Sequence, residues 1–291
     1  MLRVGFILWM CFFSAQSYAL GKLGHNLVCQ LSFEHLSLTN QQKVDSLLAV
    51  IPKSQQQLIN QYNRQPADKV VTFANACIWA DAIKKDDTYD HFKPWHYINI
   101  DRSTAKIPVK ACLANCLPQA ILHHKTELSM VENTWEKAQA LMFLGHWLGD
   151  IHQPLHVSFS SDYGGNKIKV TSPDERCTSL HWLWDECLLS RANLTEKQWL
   201  SVLNERWTVV AKQEVENEWH DEQVWQWADE SYQIVRQADL GYCQLTNKGC
   251  VNEQVNPVNY SKAYQEKYGA VLKKRVLQAA VRLTYLLEKI L

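Results

Sequence analysis

Apolar residues recur at intervals of three and four along most of the chain, the spacing that lays one stripe down an α-helix. The clearest stripe joins Trp135, Ala138, Leu141, Leu144, Trp147 and Leu148. It predicts a helix over residues 134–151 with Asn133 as its cap. The same period predicts helices over residues 25–35, 67–82, 179–189, 196–216, 222–238 and 260–291. A shorter one is expected over residues 42–50, capped by Thr39. A period of two is rare: residues 167–171 alternate behind Gly164-Gly165 and predict a small hairpin. Loops are expected near residues 84–90, 102–110, 158–165 and 241–259. No internal repeat or linker interrupts the pattern, which reads as a mainly α-helical single domain.

The first residues break this pattern. Arg3 precedes an apolar run over residues 4–13, and Ser17-Tyr18-Ala19 supplies small residues where a signal peptidase reads. Residues 1–19 are therefore expected to be a signal peptide cleaved between Ala19 and Leu20, leaving one domain over residues 20–291. Eight cysteines follow the leader, an even number that suits disulfides in a secreted or periplasmic protein. Cys112 with Cys116 and Cys243 with Cys250 can close short loops, and elimination leaves Cys177 with Cys187 and Cys29 with Cys77. The thiols lack the paired C-x2-C spacing of a cysteine-rich zinc site. Net charge is zero, from 30 Lys and Arg against 30 Asp and Glu, which argues against a basic nucleic-acid coat but not against a local basic groove. With 46% hydrophobic residues there is ample material for a core.

The polar residues within the helices carry the chemistry. His146 and Asp150 lie four apart, so they share a helix face and can reach one ion. His156 follows just past Pro154, where that helix should end, and His181 and Asp185 repeat the spacing on another helix. Asp81 and His96 (in Trp95-His96-Tyr97) are further candidates. One such pair arises readily by chance. Two, joined by a third histidine among tryptophans, form a credible zinc ligand set, because a metal would relieve the cost of burying unpaired His and Asp. His35, His91, His123, His124, His152 and His220 read instead as surface or core polar residues.

These residues sit in segments that resemble a known family. The segments are Leu20-Gly21-Lys22-Leu23-Gly24-His25, Trp79-Ala80-Asp81, Trp95-His96-Tyr97-Ile98-Asn99, residues 143–156 with both His146-Trp147-Leu148-Gly149-Asp150 and His152-Gln153-Pro154-Leu155-His156, Gly164-Gly165-Asn166-Lys167, and His181-Trp182-Leu183-Trp184-Asp185. In this order they resemble the zinc-dependent single-strand nucleases of fungi and plants, the S-one and P-one type within the phospholipase C-like superfamily. The resemblance implies a mainly α-helical fold with a three-zinc cleft. It implies that Asp81, His96, His146 and Asp150 hold one zinc, and that His156, His181 and Asp185 hold a second. The amine and carbonyl of Leu20, with His25 and a shared Asp150, would hold the third, which ties the site to correct leader removal.

The resemblance further implies an endonuclease acting on single-stranded DNA and RNA to give 5′-phosphorylated products, with 3′-nucleotidase activity. Lys84 would steady transition-state charge, Asn99 would orient the attacking water, and Tyr97 and Tyr163, with Asn166, would hold a base. Three positions depart from the family pattern: Leu20 stands for tryptophan, Lys84 for arginine and Asn99 for aspartate. Lysine keeps the charge but loses the bidentate fork. A zinc phospholipase C is the main rival, and a non-catalytic zinc-binding module a second. The short spacing from Leu20 to His25 and the aspartate at Asp185 favour the nuclease. No membrane contact is expected, and the chain is expected to act as a monomer.

Overall fold

A computed structural model describes residues 20–129, 134–171, 176–215, 220–251 and 257–291. The expected signal peptide and Asn133 lie outside the described residues. The described residues open with α1 (Gly21–His35), α2 (Leu38–Ala49), α3 (Lys53–Tyr62) and the single turns α4 (Phe73–Ala76) and α5 (Trp79–Ala82). A 3₁₀ stretch over Asp87–His96 leads into strand β1 (Ile98–Ile100), then α6 (Leu117–Leu128) and α7 (Trp135–His152). Strands β2 (Val157–Phe159) and β3 (Val170–Thr171) precede α8 (Leu180–Trp182), a π-helical turn over Leu183–Cys187, and α9 (Leu188–Ser190). The chain closes with α10 (Glu196–Val215), α11 (Gln223–Val235), the hairpin of β4 (Gln244–Thr246) and β5 (Gly249–Val251), β6 (Val258–Asn259) and α12 (Lys262–Ile290).

Helix α7 is the axis of the fold. From Ala140 to His152 every residue is buried, and the helix is enclosed by α1, α2, α6, α11 and α12. A helix apolar around its whole circumference has no stable place on a surface. Thr134 caps it by accepting from Lys137 N, in place of the expected Asn133. Gly145 and Gly149 let neighbours touch its backbone: a Cβ on Gly145 would lie 2.4 Å from Cys77 Sγ, and one on Gly149 would lie 2.5 Å from the His25 ring. The one-residue offset turns His146 and Asp150 onto the adjoining face.

Two-residue and three-residue strands tie distant loops together. β1 runs parallel to β2, pairing Ile98 with Val157 and Asn99 with Ser158. β3 pairs in parallel with β6, and beside the hairpin expected over residues 167–171 Lys169 forms an antiparallel bridge with Ser179, with Val170 N donating to Thr178 O at 3.0 Å and Leu180 N to Ile168 O at 2.8 Å. The helix expected over residues 67–82 is broken into α4 and α5, since Asn60 Nδ2 takes the Ala67 and Lys69 carbonyls at 3.2 and 2.7 Å and so competes with a helical ladder there. Ser37, not Thr39, caps α2. The four disulfides pair Cys112 with Cys116 and Cys243 with Cys250, as their spacing predicts, and Cys29 with Cys77 and Cys177 with Cys187, the pairs that elimination left. No helix among the described residues is long and apolar enough to cross a membrane.

Beyond the last turn of α7 lies a charged network whose arginines and histidine are buried and whose glutamates are partly exposed. Arg282 reaches Glu230 through both terminal nitrogens, at 2.7 and 2.8 Å, Glu214 through Nε at 2.7 Å, and His152 Nε2 at 2.7 Å. Arg275 donates to Glu230, Gln278, Ser231 and the carbonyls of Trp227 and His152. The other ring nitrogen of His152 donates to Leu148 O at 2.7 Å.

Candidate metal centre

Four helical segments and two 3₁₀ turns bring eight acidic and imidazole side chains together. α1 supplies His25, α5 Asp81, α7 His146 and Asp150, and the stretch over residues 180–187 supplies His181 and Asp185. His96 and His156 close the ends of 3₁₀ turns that lead directly into β1 and β2, so the pairing of those strands fixes the two histidines side by side. All eight residues are at most 5% exposed.

The donor atoms are spaced for metal ions. His146 Nε2 lies 3.2 Å from His96 Nδ1 and 3.2 Å from Asp150 Oδ2, and His96 Nδ1 lies 3.0 Å from that same oxygen. Asp81 Oδ1 completes the group at 3.8 and 3.9 Å from the two nitrogens. Donors bound tetrahedrally at zinc distances are separated by about 3.3 Å. A second group places His181 Nε2 3.3 Å from Asp185 Oδ2 and His156 Nε2 3.6 Å from Asp185 Oδ1. In a third, His25 Nε2 lies 3.3 Å from the other oxygen of Asp150, Oδ1. The His25 and His146 rings stack with centroids 3.8 Å apart.

The hydrogen bonds aim these atoms inward. His146, His156 and His181 each point Nδ1 at a backbone carbonyl, those of Cys77, His96 and Gly164, at 2.7, 2.6 and 2.7 Å. Donation there leaves each Nε2 free, the usual support for a ligating imidazole. Gly164 has φ +63°, and a Cβ on it would lie 2.5 Å from Leu155 O, so only glycine presents that carbonyl to His181. Gln153, which the sequence reading missed, donates to Asp185 Oδ1 at 2.6 Å. Its place in the His152-Gln153-Pro154-Leu155-His156 run was the available signal. Both ring nitrogens of His25, Asp150 Oδ1, the Nε2 atoms of His156 and His181, and Asp185 Oδ2 have no hydrogen-bond partner although buried. Such orphans are costly, and metal ions would satisfy them.

The electrostatics agree. Burial opposes ionising Asp150, yet His146 and His156 hold its carboxyl well below the usual range. Burial likewise opposes charge on Asp81, but Lys84 and His146 hold it low. Burial and Lys84 push His96 down to about 3. Burial also disfavours charge on His156, but Asp150 and Asp185 raise it to about 9.

Beside these groups opens a cavity of about 270 Å³. Lys84, Tyr97, Asn99, Tyr163 and Asn166 line it with His96, His156 and His181, so the expected substrate residues converge here. Lys93, Leu155 and Gly164 also line it and were not foreseen. Lys84 Nζ pairs with Asp81 Oδ1 at 2.6 Å. Tyr97 and Tyr163 are 40% and 60% exposed, unusual for large aromatic residues and suited to a stacking partner. Leu20 is fully buried, its side chain facing Gly24 and Gly149 beside His25. His123, His124 and Glu127 on α6 form another potential ligand group, but His123 is exposed and the group has no orphaned buried atom.

A family profile described as S1/P1 Nuclease matches residues 20–291. Endonuclease 2 of Arabidopsis thaliana is 28% identical over 231 residues, covering 75% of this chain and 71% of its own length. Endonuclease 4 of the same plant is 32% identical over 187 residues, covering 59% of this chain and 56% of its own length. Nuclease S1 of Aspergillus oryzae is 29% identical over 178 residues, covering 58% of this chain and 54% of its own length. The chain thus spans little more than half the length of the last two relatives.

Proposed function

The chain belongs to the S1/P1 nuclease family, and from that premise we propose that it is a zinc-dependent endonuclease of single-stranded DNA and RNA. Hydrolysis would add water across the P–O3′ bond, leaving a 5′-phosphate and a 3′-hydroxyl. The observation that carries this reading is the set of orphaned buried donor atoms opening onto a cavity with two exposed tyrosines. By extension, 3′-mononucleotides are also substrates, since one base and one phosphate would fill the same cavity.

Three zinc ions fit the donors. Asp81, His96, His146 and Asp150 would hold one, and His156, His181 and Asp185 a second. His25, Asp150 and the main chain of Leu20 would hold the third once residues 1–19 are removed as a signal peptide. Bound zinc supplies Lewis acidity at the phosphodiester and makes water ionise near neutral pH. Lys84 sets a positive charge where phosphoryl charge develops, and its pairing with Asp81 restrains it. Tyr97 and Tyr163 offer faces to a base, and stacking favours bases already unstacked. Asn99, held in β1, and Asn166, whose Nδ2 donates to Tyr163 O at 2.8 Å, offer amides to orient water and base. The disulfides and the absence of a membrane-spanning helix among the described residues fit a secreted or periplasmic enzyme, and one chain carries the whole site, as a monomer requires.

The test uses protein beginning at Leu20, incubated with single-stranded DNA, RNA and a phosphatidylcholine emulsion, with and without a zinc chelator. Chelator-sensitive cleavage of nucleic acid to 5′-phosphorylated products is expected. Lipid hydrolysis alone would move the protein to the phospholipase branch, and no activity would leave a zinc-binding module.

A further inference from the structure

A polar chain runs from the β4–β5 hairpin to the wall of the cleft. Arg102, on the loop after β1, donates to Ser161 Oγ at 2.9 Å and to Tyr242 O at 3.3 Å, and pairs with Asp162 through Nη2. Its guanidinium lies 4.1 Å from the Phe159 ring centroid. Tyr242 donates its hydroxyl to Asp162 Oδ1 at 2.6 Å and accepts from Ser158 at 3.0 Å. Burial, followed by the Asp162 carboxylate, keeps that phenol protonated. Asp162 Oδ1 also accepts the Gly165 N–H at 2.8 Å. Arg102 is held in turn by the disulfide-closed hairpin, where Cys250 N donates to Arg102 O at 2.8 Å.

The turn these groups grip is a strained one. Tyr163 has φ +55°, a left-handed conformation that costs a non-glycine residue about 1 kcal/mol or more and needs support from outside. From that turn the Tyr163 ring enters the cleft, and the Gly164 carbonyl meets His181. We propose that Asp162, braced by Arg102 and Tyr242, is a positioning residue that holds the Tyr163–Asn166 turn in register for the nucleobase. The proposal rests on the nuclease reading above.

A base contact distant from the reacting phosphorus contributes equally to ground and transition states, so its loss raises KM and spares kcat. Tyr242→Phe removes only a hydroxyl and Asp162→Asn removes the charge. Both would be assayed as zinc-loaded enzymes on a single-stranded oligonucleotide. KM should rise roughly three- to tenfold in Tyr242→Phe and more in Asp162→Asn, with kcat within about twofold in Tyr242→Phe. The double variant should be little worse than Asp162→Asn alone, because both act through one contact. Hydrogen exchange over residues 160–166 reads the same restraint without catalysis and should quicken in both. Unchanged exchange with unchanged KM, or a loss confined to kcat, would overturn the proposal. If Asp162→Asn fails to fold, Tyr242→Phe decides. If the wild type cleaves no nucleic acid, the nuclease reading fails, and exchange over the turn still decides whether Asp162 positions it.

Discussion

Two polar clusters with buried charged or imidazole groups share helix α7, and they differ in one respect. On its side, His146 and Asp150 face a centre where six buried atoms of His25, Asp150, His156, His181 and Asp185 lack partners. At its end, His152 enters a network with Arg275, Arg282, Glu230 and Glu214 in which none of these side chains has an orphaned buried atom. Both contain charge in a low-dielectric interior. Burial, then Arg275 and Arg282, keeps His152 neutral, whereas the carboxylates around His156 raise it to about 9. Burial of charge is thus not itself the mark of a functional site. The mark is burial left incomplete, in a geometry that a ligand would complete.

That contrast can be broken experimentally. The largest effect is expected from Asp150→Asn, which removes the carboxylate serving two donor groups. Cleavage should fall by at least about a thousandfold, the upper end for one preorganised group, with zinc lost by elemental analysis. A variant retaining zinc and rate would erase the distinction. Arg282→Met should show the reverse signature, a stability loss on the order of 3 kcal/mol in denaturant unfolding, with zinc content and KM unchanged. Should Arg282→Met lose zinc instead, the two clusters are one cooperative unit. Gln153→Leu leaves every ligand in place but frees Asp185 Oδ1. Zinc affinity should drop about ten- to a hundredfold in a chelator competition.

The smallest effect is in pH. A ligating imidazole must be neutral, and His156 titrates near 9 in the metal-free protein. Zinc uptake at neutral pH should therefore release a proton there, visible by calorimetry in buffers of different ionisation enthalpy. Because the folded value lies above the ordinary 6.5, His156 stabilises the metal-free fold fully below about pH 6.5 and loses that contribution as pH rises through about 9. A metal-free protein with no such loss would contradict the placement of His156 between Asp150 and Asp185.

The long helices and the ligand-bearing segments were legible in the sequence for one reason: both are local patterns. His146 with Asp150, and His181 with Asp185, are recognisable from spacing alone. What was not legible depends on distant partners. β1 and β2 are three residues each and are defined by pairing with each other across the intervening α6 and α7. β3 finds its mate in β6, with no turn between them to announce it. α3 buries only Ile59 and Asn60, too few for a stripe, and Trp79 Nε1 ties it down by donating to Gln55. α6 was passed over although Pro118 marks its first turn. Lys93 entered the cleft unannounced, because a lysine carries no positional signal until the fold places it.

The most direct test is anomalous diffraction at the zinc absorption edge from crystals of the chain beginning at Leu20. Three peaks are expected: one among Asp81, His96, His146 and Asp150, one among His156, His181 and Asp185, and one between His25 and Asp150. Empty density at all three, or zinc only beside His123 and Glu127, would contradict the reading of the orphaned atoms as a metal centre.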